Sequence, residues 1–218
     1  MMLRMKIPLL LMLICLAVSV KGQTMADSSM YNKGILLIQK ASTEQDYMSA
    51  ASYFTTVSGT QKQWLILYYA GLCYIHASLK AADDEFRDKL IDKAQPMIDK
   101  AFQLKPGDSE IHVLQAFLYQ ARIQINPAVR GMSYSGKAEA SLKKAMTSNP
   151  SNPRALSLMA YNVFYTPALF GGGPQKALAV FMKAREEFLV FKPLLPFFPC
   201  WGEPENEQMI VACKKAIK

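Results

Sequence analysis

The chain has 218 residues, 51% of them hydrophobic and 19% charged, and its 25 basic and 17 acidic side chains give a net charge of +8. A chain of this length can bury a sizeable core in one domain. Because the basic residues are spread along the chain and do not cluster, the charge favours solubility, and we expect no nucleic-acid partner.

The first predicted element is a secretory signal peptide. Arg4 and Lys6 precede an apolar run over residues 7–20, the usual order of the charged and apolar regions of such a signal. The run is about 14 residues long, whereas a spanning helix needs roughly 20, so we expect no stable membrane span. Small residues after the run predict residues 1–22 as the signal peptide and Gln23 as the first exported residue, with a slightly later cut as the alternative.

Cys15 lies inside this apolar run and directly follows Ile14. Lipidation of an exported cysteine needs a small residue just before it, so we expect no lipid anchor. Without residues 1–22 the chain keeps 22 basic and 17 acidic residues. The remaining residues, 23–218, are predicted to form one domain, periplasmic or secreted.

Helical periodicity, capping residues and prolines predict an all-α chain. The predicted helices lie near 25–41, 44–58, 62–80, 84–104, 108–125, 136–148, 153–165, 174–191 and 203–217. The segment 193–204 holds four prolines and is predicted to be an extended strap. The helix after it, 203–217, is predicted to cap the exposed end of the helical stack.

Two segments share one spacing of small, large, small and proline residues: Ala94, Ile98, Ala101, Pro106 and Ala138, Leu142, Ala145, Pro150. The first three positions lie on one helical face, where alanine allows a close helix approach. A third unit at Ala177, Phe181 and Ala184 lacks the proline, as does a degenerate first unit at Ala50, Phe54 and Val57. Each such helix follows one that carries a small residue, as at Gly71 or Ala116.

This arrangement resembles the tetratricopeptide repeat. The resemblance implies a tetratricopeptide-like α–α superhelix, a solenoid of about three to four helical hairpins with a C-terminal capping helix. The stretches NPSNPRALSLMAYNVFYTP and FGGGPQKAL, with a late WG, are similar to a group of small exported tetratricopeptide proteins of Gram-negative bacteria. This narrower likeness implies a fold and a compartment, and it implies no ligand.

No combination of residues predicts a catalytic centre. His76 and His112 are the only histidines, and they lack the spacing that would present two metal ligands on one helix face. The acidic run at residues 83–85 suits a helix start, where the dipole favours negative charge, and Gly171 to Gly173 suit a turn with positive φ angles. We therefore expect no enzyme activity, no metal site and no cofactor.

Three cysteines remain after residue 22. Cys73 lies in an apolar helix and is predicted to be a buried small side chain. Cys200 and Cys213 flank the turn from the strap into the last helix, so a disulfide between them is possible in an oxidising compartment. The alternative is that both thiols stay reduced or lie apart.

In tetratricopeptide proteins the first helix of each hairpin lines the concave face. The resemblance therefore implies a groove lined by Tyr68, Leu72, His76, Val113, Phe117, Gln120, Arg154, Tyr161 and Tyr165. Aromatic and apolar side chains with a few polar groups suit an extended peptide or an apolar small molecule. For each residue, the alternative is a place in the core between helices.

We consider three hypotheses for the function of this protein. The leading hypothesis is a non-catalytic scaffold that binds a peptide or protein partner in the cell envelope. The alternative is a soluble ligand carrier or transporter accessory protein, and an enzyme is the third possibility. An open trough would favour the peptide scaffold, whereas a pocket enclosed by the strap would favour the ligand carrier.

The segments 125–135 and 166–173 exceed what the standard repeat needs between its helices, and each pairs a proline with a later glycine. They are predicted to be shaped loops along one edge of the solenoid. Loop insertions are commonly functional, so we expect a binding rim of Asn126, Arg130, Tyr134 and Phe170, with Arg130 available for a carboxylate or phosphate. The alternative is that Arg130 and Phe170 have structural contacts only.

Overall fold

The computed structural model describes residues 28–60, 63–194 and 196–217, and within them regular structure is entirely helical. The helices are α1 (28–40), α2 (Glu44–Ser58), α3 (Trp64–Lys80), α4 (Asp84–Leu104), α5 (Ser109–Ile125), α6 (Pro127–Ser148), α7 (Pro153–Tyr165), α8 (Pro174–Val190) and α9 (Glu203–Ile217). A 3₁₀ turn covers Ala168–Phe170. The all-α prediction is confirmed, while the predicted signal peptide lies outside the described residues. None of the described helices is long and apolar enough to cross a membrane.

Side-chain caps explain where several helices begin. Thr43 and Asp46 form a reciprocal capping box at α2, and Asp83 and Asp108 accept hydrogen bonds from the first turns of α4 and α5. Asn152 does the same for α7. Each cap satisfies backbone N–H groups that have no partner inside the helix, and it is worth about 1 kcal/mol.

Consecutive helices pack as antiparallel hairpins, and a second set of contacts joins α3 to α5, α5 to α7 and α7 to α9. These four helices therefore form the inner layer of the solenoid, and α2, α4, α6 and α8 form the outer layer. The turns around residues 81–83, 126 and 166–173 lie along one edge, here called the loop edge. The turns at 105–108 and 149–152 lie along the opposite edge, here called the base edge.

The repeated small-large-small positions form the centre of each hairpin. Every member of three units is fully buried: Ala94, Ile98, Ala101; Ala138, Leu142, Ala145; and Ala177, Phe181, Ala184. A Cβ atom placed on Gly71 would lie 3.4 Å from side-chain carbons of Ile98 and of Leu114. Small residues thus set the close spacing of the helices, and the larger residue fills the space between them.

Replacing Ala145 by leucine should destabilise the domain by about 1 to 3 kcal/mol, the usual cost of overpacking a tight helix contact. Ala140 on the same helix is exposed, so Ala140→Leu is the matched control and should change stability by less than about 0.5 kcal/mol. Chemical denaturation of both variants measures the difference. Equal unfolding midpoints would show that this face of α6 does not lie at a helix–helix contact.

The prediction of a loop at 125–135 is wrong. Helix α6 begins at Pro127 and is preceded directly by Asn126, whose side chain accepts a hydrogen bond from the backbone N–H of Val129. Proline is favoured at the first position of a helix, and Gly131 and Gly136 each cost only about 1 kcal/mol in a helix that packs against α5. The additional residues therefore extend α6 and do not form a loop.

The segment between α8 and α9, residues 191–194 and 196–202, is the strap, and it folds back over the inner layer. Its two ends meet at Arg154: the guanidinium lies 4.4 Å from the Phe191 ring, and a Cβ placed on Gly202 would lie 3.5 Å from Arg154 Cγ. At its tip, Phe197 stacks on Tyr31 with 5.0 Å between ring centroids. The strap is thus a compact loop whose ends are close together and whose tip reaches the N-terminal helices.

Candidate functional site

The strap covers the base-edge half of the inner layer. The Tyr69 hydroxyl donates a 2.7 Å hydrogen bond to the Phe197 carbonyl oxygen. Trp201 Nε1 donates to the Tyr68 hydroxyl at 2.7 Å, and the Trp201 indole stacks on Phe117 at 5.4 Å. The chain's own aromatic residues therefore occupy the part of the groove where an extended peptide would otherwise lie.

Beyond Trp201 lies a surface of partly buried rings, carried by the inner helices and by Tyr47 of α2. We call it the inner cleft, and it is lined by Tyr47, His76, Phe117, Tyr161 and Trp201. Tyr47 stacks on His76 at 5.1 Å, and His76 meets the Phe117 ring edge-on at 5.4 Å. Phe117, Tyr161 and Trp201 are partly buried and pack against one buried cluster. Four helices and the strap thus contribute aromatic rings to a single concave surface.

Burial keeps the ionisable groups of the inner cleft neutral near pH 7. It lowers the pKa of His76 to about 4, helped by the positive charge of Lys80. Burial also raises the pKa of Tyr161 to about 12 and raises that of Tyr47, with the carboxylate of Glu205 adding to both shifts. The cleft therefore combines uncharged aromatic walls with one nearby cation and one nearby anion.

This arrangement suits a flat, mostly apolar molecule. Aromatic walls offer stacking surfaces for such a molecule. The ring nitrogens of His76 have no hydrogen-bond partner within the described part of the chain, so a neutral imidazole is available to a ligand. No group of three or more metal-binding side chains is close enough, among the described residues, to hold a metal ion.

A second depression, of about 420 Å³, lies at the base edge between Leu194 and Phe198 of the strap and the turn at 107–110. Its carboxylates are already paired, Asp108 with Lys105 and Glu110 with a buried arginine. No charged group among these described residues is left to recognise a ligand.

Four predicted groove residues are buried in the core, Tyr68, Leu72, Val113 and Arg154, so the prediction that they line an accessible groove is wrong. Tyr68 is covered by Trp201, and Leu72 lies in the main core cluster. Arg154 is enclosed and donates from Nε and Nη2 to the Glu110 carboxylate at 2.8 Å. The strap explains the burial of Tyr68 and Arg154, because it covers positions that face an open groove in a simple repeat.

The other predicted groove residues have mixed surroundings. Gln120 donates to the Leu158 carbonyl at 2.8 Å and to the Asn162 side chain at 2.9 Å, so it joins α5 to α7. Tyr165 is exposed near the loop edge, one turn beyond Tyr161. Of the predicted set, His76, Phe117 and Tyr161 meet at the inner cleft.

The predicted rim is not formed as one surface. Asn126 caps α6, and both Nη atoms of Arg130 donate to the Asp88 carboxylate at 2.7 and 2.6 Å. Arg130 is therefore already paired, and its expected availability for a ligand anion is wrong. Tyr134 packs against Tyr119 at 5.9 Å, whereas Asn126 and Phe170 are exposed.

The possible disulfide between Cys200 and Cys213 is not formed, and both thiols are free. Cys200 is exposed in the strap, whereas Cys213 is buried about three turns along α9. The intervening length of helix, roughly 15 Å, exceeds the separation of about 7 Å that a disulfide can bridge.

Sequence reasoning missed two ring-bearing residues of the inner cleft. Tyr47 lies in the segment interpreted as a degenerate first repeat, and Trp201 lies in the strap. The available signal was the aromatic content of the strap, FKPLLPFFPCW, because a solvent-exposed linker seldom carries so many large rings.

Solved structures that resemble this chain include the following two. The HusA haemophore from Porphyromonas gingivalis matches with a TM-score of 0.77, covering 87% of this chain and 93% of that chain. A thermophilic TPR protein of Thermus thermophilus matches with a TM-score of 0.54 and 17% identity, covering 93% of this chain and 94% of that chain, and supports the fold alone. No protein-family model and no curated protein matches. With 30% identity to HusA over 93% of its length, the chain belongs to the same protein family as that haemophore and has the tetratricopeptide-type solenoid fold.

Proposed function

We propose that this protein is a non-catalytic carrier that binds haem, or a closely related flat tetrapyrrole, in the inner cleft. The observation that carries the proposal is the position of the strap inside the groove, with Trp201 stacked on Phe117. This packing leaves an aromatic cleft in place of an open trough. The relation to a protein named as a haemophore supports the choice of ligand.

The chemistry of the cleft matches the parts of haem. The macrocycle is flat and apolar, so Phe117, Tyr161 and Trp201 can stack on it or contact its edge. His76 is neutral above about pH 5, because its pKa is about 4, and a neutral imidazole can approach the iron. Lys80 lies close enough to influence His76 and supplies a cation for a propionate group.

The predicted peptide or protein scaffold remains a second candidate, because the partly exposed rings of Phe117 and Tyr161 could also hold apolar side chains of a peptide. The strap already lies over half of the inner layer, so a peptide would have to use the cleft or displace the strap. A carrier that works after export also agrees with the predicted signal peptide and a periplasmic or secreted location.

We expect His76→Ala and Phe117→Ala to weaken the binding of haemin at least about tenfold each, a loss of about 1.4 kcal/mol. An absorbance titration of the haem Soret band measures the affinity. His112→Ala is the matched control, because His112 lies against Phe102 at 4.8 Å between the outer and inner layers. The haemin affinity of this variant should stay within about twofold of the wild type.

The haemin affinity of the wild type should change little from pH 8 to 6. It should fall as the pH approaches the His76 pKa of about 4, because the imidazole then becomes charged.

Equal affinities of His76→Ala and His112→Ala would place the ligand elsewhere. Metal-free protoporphyrin IX distinguishes ring stacking from contact between His76 and the iron, because it has the macrocycle but no iron. If stacking dominates, it should bind nearly as well as haemin, and Phe117→Ala should weaken both ligands. If His76 contacts the iron, His76→Ala should weaken haemin alone.

A further inference from the structure

The loop edge of the solenoid is strongly apolar. Five large hydrophobic side chains are exposed there: Val129 76%, Met132 89%, Tyr165 73%, Leu169 89% and Phe170 72%. Exposed apolar groups gathered at one place on a protein mark an interaction surface, unlike single exposed residues, which are common.

Helix packing brings these residues together. Asn162 Nδ2 donates to the Ser135 carbonyl oxygen at 3.4 Å, which fixes the level at which the antiparallel helices α6 and α7 meet. One turn further toward the loop edge on each helix lie Met132 and Tyr165. Val129 follows one turn beyond Met132, so the apolar surface continues along α6.

Leu169 and Phe170 project from a braced turn. The Phe170 and Gly172 N–H groups donate to the Pro167 carbonyl at 2.9 and 3.2 Å, and the Gly173 N–H donates to the Val163 carbonyl at 2.8 Å. These bonds hold the tip of the loop in place, so the two side chains form a protruding apolar knob and not a groove.

Three lysines lie on the helices that flank this knob, whereas the carboxylates of the same edge lie at the start of α4, where Asp84 pairs with Arg87 and Glu85 with Lys89. Lys176 Nζ lies 3.9 Å from the position of a Cβ on Gly171. Lys214 and Lys215 lie in the last turn of α9, beside Cys213, which packs in the same cluster as the first turn of α8. The nearby carboxylate of Glu139 is already paired with Lys143 at 2.7 Å.

The knob is continuous with the inner cleft. Tyr161 lines the cleft, and Tyr165 lies four residues later on the same face of α7. Lys80 ends α3 at the same edge. A molecule that leaves the cleft toward this edge would therefore meet the apolar knob and its lysines.

We infer that the loop edge docks onto an anionic lipid surface, with Leu169 and Phe170 inserted at the level of the headgroups and the lysines against lipid phosphates. A protruding apolar tip flanked by cations fits a bilayer interface, where apolar burial and attraction to anionic lipids act together. This inference rests on the proposed carrier function. Docking at this edge would let an apolar ligand pass between the inner cleft and the membrane without crossing water.

Co-flotation of the full chain with unilamellar vesicles tests the docking. We expect binding to vesicles of phosphatidylcholine with about 30% phosphatidylglycerol, weaker binding without the anionic lipid, and further weakening at high salt. The double variant L169S/F170S should lower the apparent partition coefficient at least about tenfold. The control L189S/V190S removes two exposed apolar side chains at the opposite end of α8 and should change the partition coefficient by less than about twofold.

Phe170→Trp locates the contact, because insertion should increase quenching by brominated acyl chains relative to the wild type, whereas Leu189→Trp should not. These difference measurements are independent of any lipid affinity of the N-terminal segment, which all variants share.

The haemin affinity of L169S/F170S should equal that of the wild type, so failure of the lipid inference and failure of the proposed ligand are distinguishable. Equal partitioning of both double variants overturns the inference. Loss of self-association in L169S/F170S, measured by sedimentation without lipid, also overturns it and assigns the edge to a second copy of the chain.

Discussion

Replacing Glu110 by alanine should destabilise the protein by about 3 to 5 kcal/mol, because it leaves a buried guanidinium without its counter-charge. Glu110 and Arg154 are both almost completely buried, with Nε and Nη2 of Arg154 at 2.8 Å from the carboxylate. Asn152 Nδ2 also donates to Glu110, at 2.7 Å. For a domain of this size the unfolding temperature should fall by about 6 to 20 °C.

Glu207→Ala is the matched control, since it breaks the partly exposed pair of Glu207 with Arg185 and should cost at most about 1 kcal/mol. The double variant E110L/R154M removes both charges, so it should recover much of the stability lost in Glu110→Ala. Calorimetry or thermal denaturation provides the comparison. A Glu110→Ala protein as stable as Glu207→Ala would show that the buried pair contributes little.

The buried pair of Glu110 and Arg154 also positions the strap. Arg154 contacts Phe191 at the start of the strap and Gly202 at its end. Loss of Glu110 should therefore loosen the strap before the rest of the fold unfolds. The fluorescence of Trp201, which is stacked on Phe117, should then report a change at lower denaturant concentration than the helical signal does.

Replacing Gly172 by alanine should also be strongly destabilising, by about 3 kcal/mol or more, at the upper end of overpacking costs. A Cβ at this position would lie 2.1 Å from the Thr166 carbonyl oxygen and 2.6 Å from the Val163 carbonyl oxygen. Both oxygens belong to the backbone, so no side-chain rotation can relieve the clash. The loop edge would have to rearrange or the end of α7 would have to unwind.

Gly136→Ala is the control for Gly172→Ala. Apart from the backbone of its own helix, no described atom lies within 4 Å of a Cβ placed on Gly136 in α6, so alanine should stabilise the helix by about 0.5 to 1 kcal/mol. Urea denaturation of both variants should show changes of opposite sign. If Gly172→Ala unfolded at the wild-type midpoint, the close approach of the α7–α8 loop would not be present in solution.

Much of the fold is readable from the sequence because the signals are local. The spacing of Ala138, Leu142 and Ala145 identifies one buried helix face, and Asp83 and Asp108 identify helix starts. The start of α6 was missed because a proline and two glycines suggest a loop. Packing against α5 compensates for their poor helix propensity.

The sequence by itself determined the helical periodicity and the repeated close contacts between helices, since each depends on residues a few positions apart. Only the tertiary structure decided which groove residues remain accessible. Trp201 reaches Tyr68, 133 positions earlier in the chain, and Glu110 pairs with Arg154 across two helices. Such contacts depend on the path of the strap, and no local pattern encodes that path. The inner cleft, with His76 and Phe117 beside Trp201, therefore exists only once the whole solenoid has closed around the strap.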